Sequence, residues 1–239
     1  MQLRSYRLAS RALAVSAGER RSSLAGSGGE FLEHRVYEPG DEVRFIDWNV
    51  YARSGKLFVR RFAAERATRV YLTSDISKSM QPKLPIVQAA SEFIKPFIRH
   101  DRIYSRQVSD LKNGLAQLAL ERPGLVLLFS DGLEPIGGIR SGLMALTARG
   151  FDLSVIQILS SEDLEPPTGV WRVRDAESEA TLEIDDAARR RYLERLNAHL
   201  EGLAGLCRSL GLRLTRLGDG SPQAIFKALR QAGILERGQ

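Results

Sequence analysis

Five consecutive residues, Asp75-Ile76-Ser77-Lys78-Ser79, set one carboxylate and two hydroxyls at alternate positions. All three are hard oxygen donors. Such a set suits Mg2+ or Mn2+, ions that accept few charged ligands and keep some of their waters. A tight loop can turn three side chains at this spacing toward one point. Three common residues also recur by chance, and a strand-to-helix loop uses the same types simply to cap its helix. Two further places add weight. Phe129-Ser130-Asp131-Gly132 ends a second apolar run and offers Asp131 as another strand-end carboxylate, with an ordinary turn aspartate as the plain alternative. Ser109-Asp110 stands before a candidate helix, where Ser109 reads either as the N-cap or as one more hydroxyl donor.

These donors need elements to position them. Residues 70–74, 125–129 and 153–159 are short, nearly continuous apolar runs. Strands of that kind belong in a parallel sheet covered on both faces. Helical periodicity occupies 86–98, 111–120 and 139–148. The alternation predicts a doubly wound, mostly parallel α/β sheet, which places Asp75 and Asp131 at the carboxyl edge where such sheets bind ligands. Downstream, strands are expected at 169–173, 181–184 and 212–217, and helices at 187–210 and 223–232. Residues 1–67 read as a separate, irregular region, and 68–239 as the α/β domain. Within the first region, 22–29 is a small-residue loop, and short strands are expected at 45–48 and 57–59.

Composition narrows the functional classes. The net charge is +6, from 35 basic and 29 acidic residues spread along the chain. Charge of this kind without a recognition fold or interleaved aromatics reads as solvated surface rather than a nucleic-acid site. Cys207 is the one cysteine, so no internal disulfide forms, and a buried place on an apolar helix face is expected. A reducing cytoplasm fits. No apolar run reaches the length of a membrane span, so any membrane association is expected to be indirect. The basic start of the chain reads as a helix cap. An enzyme would need a base or nucleophile beside the ion. His34, His100 and His199 lie away from the strand-end motifs, and no phosphate loop, nucleophile elbow or zinc-protease string occurs. The expected function is therefore non-enzymatic. The alternatives are a magnesium-dependent phosphohydrolase-like enzyme and a basic nucleic-acid binder.

Asp75, Ser77 and Ser79 together with Ser109 and Asp131 resemble the metal-ion-dependent adhesion site of von Willebrand A domains. In that family the DxSxS loop, a threonine on a second loop and an aspartate on a third hold one divalent ion. The resemblance puts Ser109 at the threonine position and Asp131 at the aspartate position, where it acts directly or through water. The ion keeps an open place for a carboxylate of a bound protein. A second stretch is similar to the bacterial family called domain of unknown function fifty-eight. It comprises Tyr37-Glu38-Pro39-Gly40-Asp41-Glu42-Val43-Arg44-Phe45-Ile46-Asp47-Trp48, then Ala52-Arg53-Ser54-Gly55-Lys56-Leu57 and Glu65-Arg66, with a lead-in of Gly29-Glu30-Phe31 and Arg35. That resemblance implies an adaptor or chaperone-like partner of a MoxR-type AAA+ ATPase. Read physically, Pro39-Gly40 sets a tight turn, Asp41 and Asp47 can pair with Arg44 and Arg53, and Trp48 can anchor the segment on the core. The chain departs from the von Willebrand A pattern in its middle. Only about fifty residues separate Ser79 from Asp131, so an edge strand and a helix are expected to be missing and a sheet edge exposed.

Overall fold

The computed structural model describes residues 6–9, 31–62, 69–98, 102–174 and 181–237. The small-residue run at 22–29, the lead-in pair Gly29-Glu30, and Glu65-Arg66 lie outside the described residues. The chain divides into two compact units, one of Met1–Val15 with Thr68–Gln239 and one of Ser16–Ala67. In chain order the strands are β1 (Tyr6–Leu8), β2 (Phe31–Val36), β3 (Phe58–Phe62), β4 (Arg69–Asp75), β5 (Arg102–Val108) and β6 (Leu125–Ser130), then β7 (Asp152–Ile158), β8 (Trp171–Arg174), β9 (Thr181–Ile184), β10 (Arg213–Leu217) and β11 (Leu235–Arg237). The α-helices are α1 (Trp48–Ser54), α2 (Leu84–Ile94), α3 (Leu111–Leu118), α4 (Ile136–Ala148), α5 (Ser161–Leu164), α6 (Asp186–Ser209) and α7 (Pro222–Gln231).

In the larger unit, β4, β5, β6, β7 and β10 form a five-stranded sheet in the order β10-β7-β6-β4-β5, with every neighbouring pair parallel. Taken in sequence order within the sheet this is 2-1-3-4-5, a doubly wound arrangement. β6 is buried along its whole length, as its unbroken apolar run predicts. One face of the sheet packs on α2 and α7 through Leu72, Leu127 and Phe129 against Val87, Ile94 and Leu229. The other packs on α3, α4 and α6 through Val126, Leu128 and Val155 against Leu115, Leu143 and Leu203. Gly142 permits the close approach of α3 and α4, since a Cβ there would meet the Leu115 Cβ at 2.7 Å. Cys207 is buried in this layer, and burial pushes its thiol up to about 11. A thiol that stays protonated there is inert.

The strand order reverses between β4 and β6, while the strands stay parallel. Their carboxyl ends therefore border the crevice where ligands sit in open α/β sheets. β5 is an edge strand, and Ile103 and Tyr104 are exposed on it, in keeping with the expected open edge. The start of the chain differs from the expected helix cap. Tyr6–Leu8 is a strand paired antiparallel with Leu235–Arg237, which buries Tyr6 and Leu8.

In the smaller unit, β2 and β3 form a two-stranded antiparallel sheet. Here three expectations are corrected. Residues 45–48 are not a strand: Val43–Phe45 is a 3-10 turn, and Asp47 then caps α1 by accepting the Asn49 and Val50 N–H groups at 3.0 and 3.1 Å. Trp48 does not anchor on the core. It is the first residue of a helix with no buried side chain, is 57% exposed, and meets the Tyr51 ring edge-on. Phe45, Ile46 and Val59 make the small core instead, with Tyr37 and Leu57 packed against it. Nor do Asp41 and Asp47 pair with Arg44 and Arg53. Asp41 takes Arg35, Asp47 takes His34 at 3.0 Å, and Arg44 pairs with its near neighbour Glu42. Arg35 and His34 both lie on β2. The Pro39-Gly40 turn is present, with Gly40 at a φ of 106° that favours glycine.

Candidate functional site

β4 ends at Asp75, whose side chain is buried at the crevice. Its Oδ1 accepts the Ser77 N–H at 2.9 Å, which folds the chain back in a tight turn. Ser77 begins a 3-10 helix, Lys78–Lys83, yet its side chain caps nothing. The Ser77 and Ser79 hydroxyls instead face each other, with their oxygens 3.1 Å apart. The capping alternative thus does not account for these serines. Asp75 Oδ2 accepts the Ser130 hydroxyl from the end of β6 at 2.7 Å, and Ser130 Oγ in turn accepts the Gly132 N–H at 2.9 Å. Gly132 has a φ of 63°, and a Cβ there would also crowd Leu203. The two strand ends are tied together through these serine and aspartate groups.

Asp131 lies at the same edge, 2% exposed. Its Oδ1 accepts the Leu133 N–H at 3.1 Å, and Gln157 from β7 donates to its carbonyl at 2.8 Å. Its Oδ2 is held by the Lys83 ammonium at 3.1 Å. Lys83 also reaches Asp163 at 3.0 Å, and its own side chain is only 6% exposed. This buried cation was missed in the sequence, although a signal for it exists. Met80, Lys83, Val87, Ala90 and Ile94 fall at three- and four-residue spacing, so Lys83 occupies a core-facing position in an apolar stripe.

Ser109 follows Val108, which pairs in register with Asp75. It therefore reaches the same sheet edge, where it is exposed. It is not the N-cap of α3. Asp110 is, accepting the Asn113 N–H at 3.0 Å, because its carboxylate reaches the first turn of the helix directly. Glu134 is a further acidic group at this edge. Its carboxyl is raised by burial and by the charges of Asp75, Asp110 and Asp131, against a hydrogen bond from the Leu111 N–H. Crowded negative charge of this kind favours a bound cation. One expectation is corrected here: His199 does not lie away from the strand-end motifs but, from α6, donates from Nε2 to the Gly132 carbonyl at 2.6 Å, because the fold packs α6 over the end of β6, and so it braces that turn.

Among the described residues no three His, Cys, Asp or Glu side chains converge as a metal-binding group. The cluster is of a different kind, one buried carboxylate with two adjacent hydroxyls. That donor chemistry fits a hard divalent ion completed by water. The fit is best at Asp75, Ser77 and Ser79, while Asp131 is engaged by Lys83.

Comparison with known proteins agrees on the family signature. Residues 33–84 match the family described as "Protein of unknown function DUF58". Uncharacterized proteins of Mycobacterium tuberculosis and Mycobacterium bovis are each 28% identical over 251 positions, covering 85% of this chain and 78% of theirs. That matched stretch is longer than the whole 239-residue chain, so the relatives carry residues there that this chain lacks. A crystal structure of the conserved hypothetical protein BatB from Bacteroides thetaiotaomicron aligns with a TM-score of 0.39 at 11% identity, covering 70% of this chain and 98% of that one. Among the described residues no helix is long and apolar enough to cross a membrane.

Proposed function

We propose that this chain is a von Willebrand A-like, non-enzymatic protein-binding module that works through one divalent cation, Mg2+ or Mn2+. Asp75, Ser77 and Ser79 hold the ion, Ser109 and Asp131 complete its surroundings, and an acidic side chain of a partner takes the open place. The observation that carries this reading is the pair of serine hydroxyls 3.1 Å apart beside buried Asp75, at the crevice where the strand order reverses. The partner in this reading is of the MoxR-type AAA+ ATPase kind, met in the cytoplasm, as the resemblance of the Tyr37 to Arg53 signature implies, and that signature is a second contact surface or a structural clasp; residues 33–84 match DUF58, whose function is unknown. The hydroxyls beside Asp75 hydrogen-bond within the cluster, Ser77 with Ser79 and Ser130 with Asp75, which fits ligand donors better than an activated nucleophile.

Calorimetric titration of Mg2+ and Mn2+ into metal-free protein tests the site. Saturable binding in the wild type that disappears in Asp75→Ala is expected. Folded wild type that takes up neither ion refutes the reading.

A further inference from the structure

We infer that Lys83 is a built-in competitor of the divalent ion for Asp131, one that moves onto Asp163 when the ion is bound. The inference rests on the metal-site reading above and concerns how that site is controlled.

A lysine at a core-facing helix position is costly to bury and needs paired, hydrogen-bonded charge around it. Lys83 meets that condition by bridging two carboxylates, Asp131 at 3.1 Å and Asp163 at 3.0 Å. It comes from the segment after β4, Asp131 follows β6 and Asp163 follows β7, so one ammonium holds three strand-end loops together. Both Asp131 oxygens are occupied, Oδ1 by the Leu133 N–H and Oδ2 by Lys83. Asp75 also has both oxygens engaged, Oδ1 by the Ser77 N–H and Oδ2 by the Ser130 hydroxyl, but neither partner is a cation, and the hydroxyls around it can turn their lone pairs to an ion. The ligand set is therefore ready on the β4 side and blocked on the β6 side.

A divalent ion and an ammonium close to the same carboxylate repel strongly in a buried setting. Each therefore weakens the hold of the other on Asp131. Asp163 gives the ammonium an alternative partner. It is already in contact, and its side chain is 21% exposed against 3% for Asp131. A lysine resting on Asp163 alone is thus better hydrated than it is now. Asp163 also completes the capping box of α5 with Ser160, and its carbonyl accepts the Tyr192 hydroxyl of α6 at 2.9 Å. Ion occupancy is coupled in this way to the loop after β7. The fixed charge keeps the three loops assembled in the absence of metal and sets a threshold concentration for the ion.

The test measures amine acylation of Lys83 in the wild-type protein by peptide mass spectrometry, without and with saturating Mn2+. Calorimetric Mn2+ affinity is compared between wild type and Lys83→Met. Labelling of Lys83 is expected to be slow without metal and to rise several-fold with it, and Lys83→Met is expected to bind Mn2+ on the order of tenfold more tightly. If wild type binds Mn2+ while Lys83 labelling stays unchanged, the competition is refuted and the metal site stands. Equal or weaker binding by folded Lys83→Met refutes it in the same way. If wild type binds no ion, both readings fall together. Should the variant not fold, the labelling of the wild type decides alone.

Discussion

Replacing Lys83 with methionine should destabilise the protein by about 3–5 kcal/mol, the range found when one member of a buried ion pair is removed. The methionine fills most of the stem's volume beside Met80 and Val87, so lost packing is a small part of the effect. The large part is charge. Asp131 and Asp163 are left without their shared cation, and Asp131 is almost wholly removed from water. A further change of Asp131 to asparagine should then recover a good share of the loss, because it removes the more deeply buried of the two uncompensated charges. Urea unfolding at neutral pH of wild type, Lys83→Met and Lys83→Met/Asp131→Asn measures this directly. A single variant within about 1 kcal/mol of wild type, or a double variant less stable than the single, contradicts the structural role given to the lysine.

Phe129→Ala should cost a comparable amount, about 3–5 kcal/mol. Phe129 is fully buried in β6, which is paired on both sides, by β4 and β7. Its ring packs in the layer with Met80, Val87 and Ile225, all of them buried. The residue also stands just before Ser130 and Asp131, so the strand end it fixes is the one that carries the site. Phe129→Leu keeps most of the volume and should cost less than about 1.5 kcal/mol. Thermal unfolding of the two variants beside wild type checks the contrast, and equal midpoints for Ala and Leu would show that this position is not packed as described.

Much of the fold was legible because buried parallel strands announce themselves. Residues 125–129 are apolar without interruption, and the strand there gains only Ser130. Residues 181–184 were read to the residue. The short pairs were not legible. β2 carries Glu33, His34 and Arg35, with little apolar alternation, and β1 and β11 have three residues each, which gives no period to detect. At 45–48 the aromatic and β-branched types suggested a strand, but Asp47 is a strong helix cap and its carboxylate decided the local geometry. In the site, the spaced oxygens of Asp75, Ser77 and Ser79 were visible as a pattern, and so was Asp131. Lys83 was hidden because a lone lysine near Pro82 and Pro85 looks like surface until its place in the stripe from Met80 to Ile94 is noticed. Asp163 sits in an acidic loop where nothing distinguishes it from Glu162 or Glu165 except the long-range contact that the fold creates.

The most direct measurement of the central claim is a crystal structure of this chain grown with Mn2+, with anomalous differences recorded at a wavelength where manganese scatters strongly. The expected result is one anomalous peak in the crevice between the ends of β4 and β6, within coordination distance of the Asp75 carboxylate and of the Ser77 and Ser79 hydroxyls, and absent in Asp75→Ala. A peak at other residues, or none in a crystal whose Asp75, Ser77 and Ser79 side chains are well ordered, would contradict it.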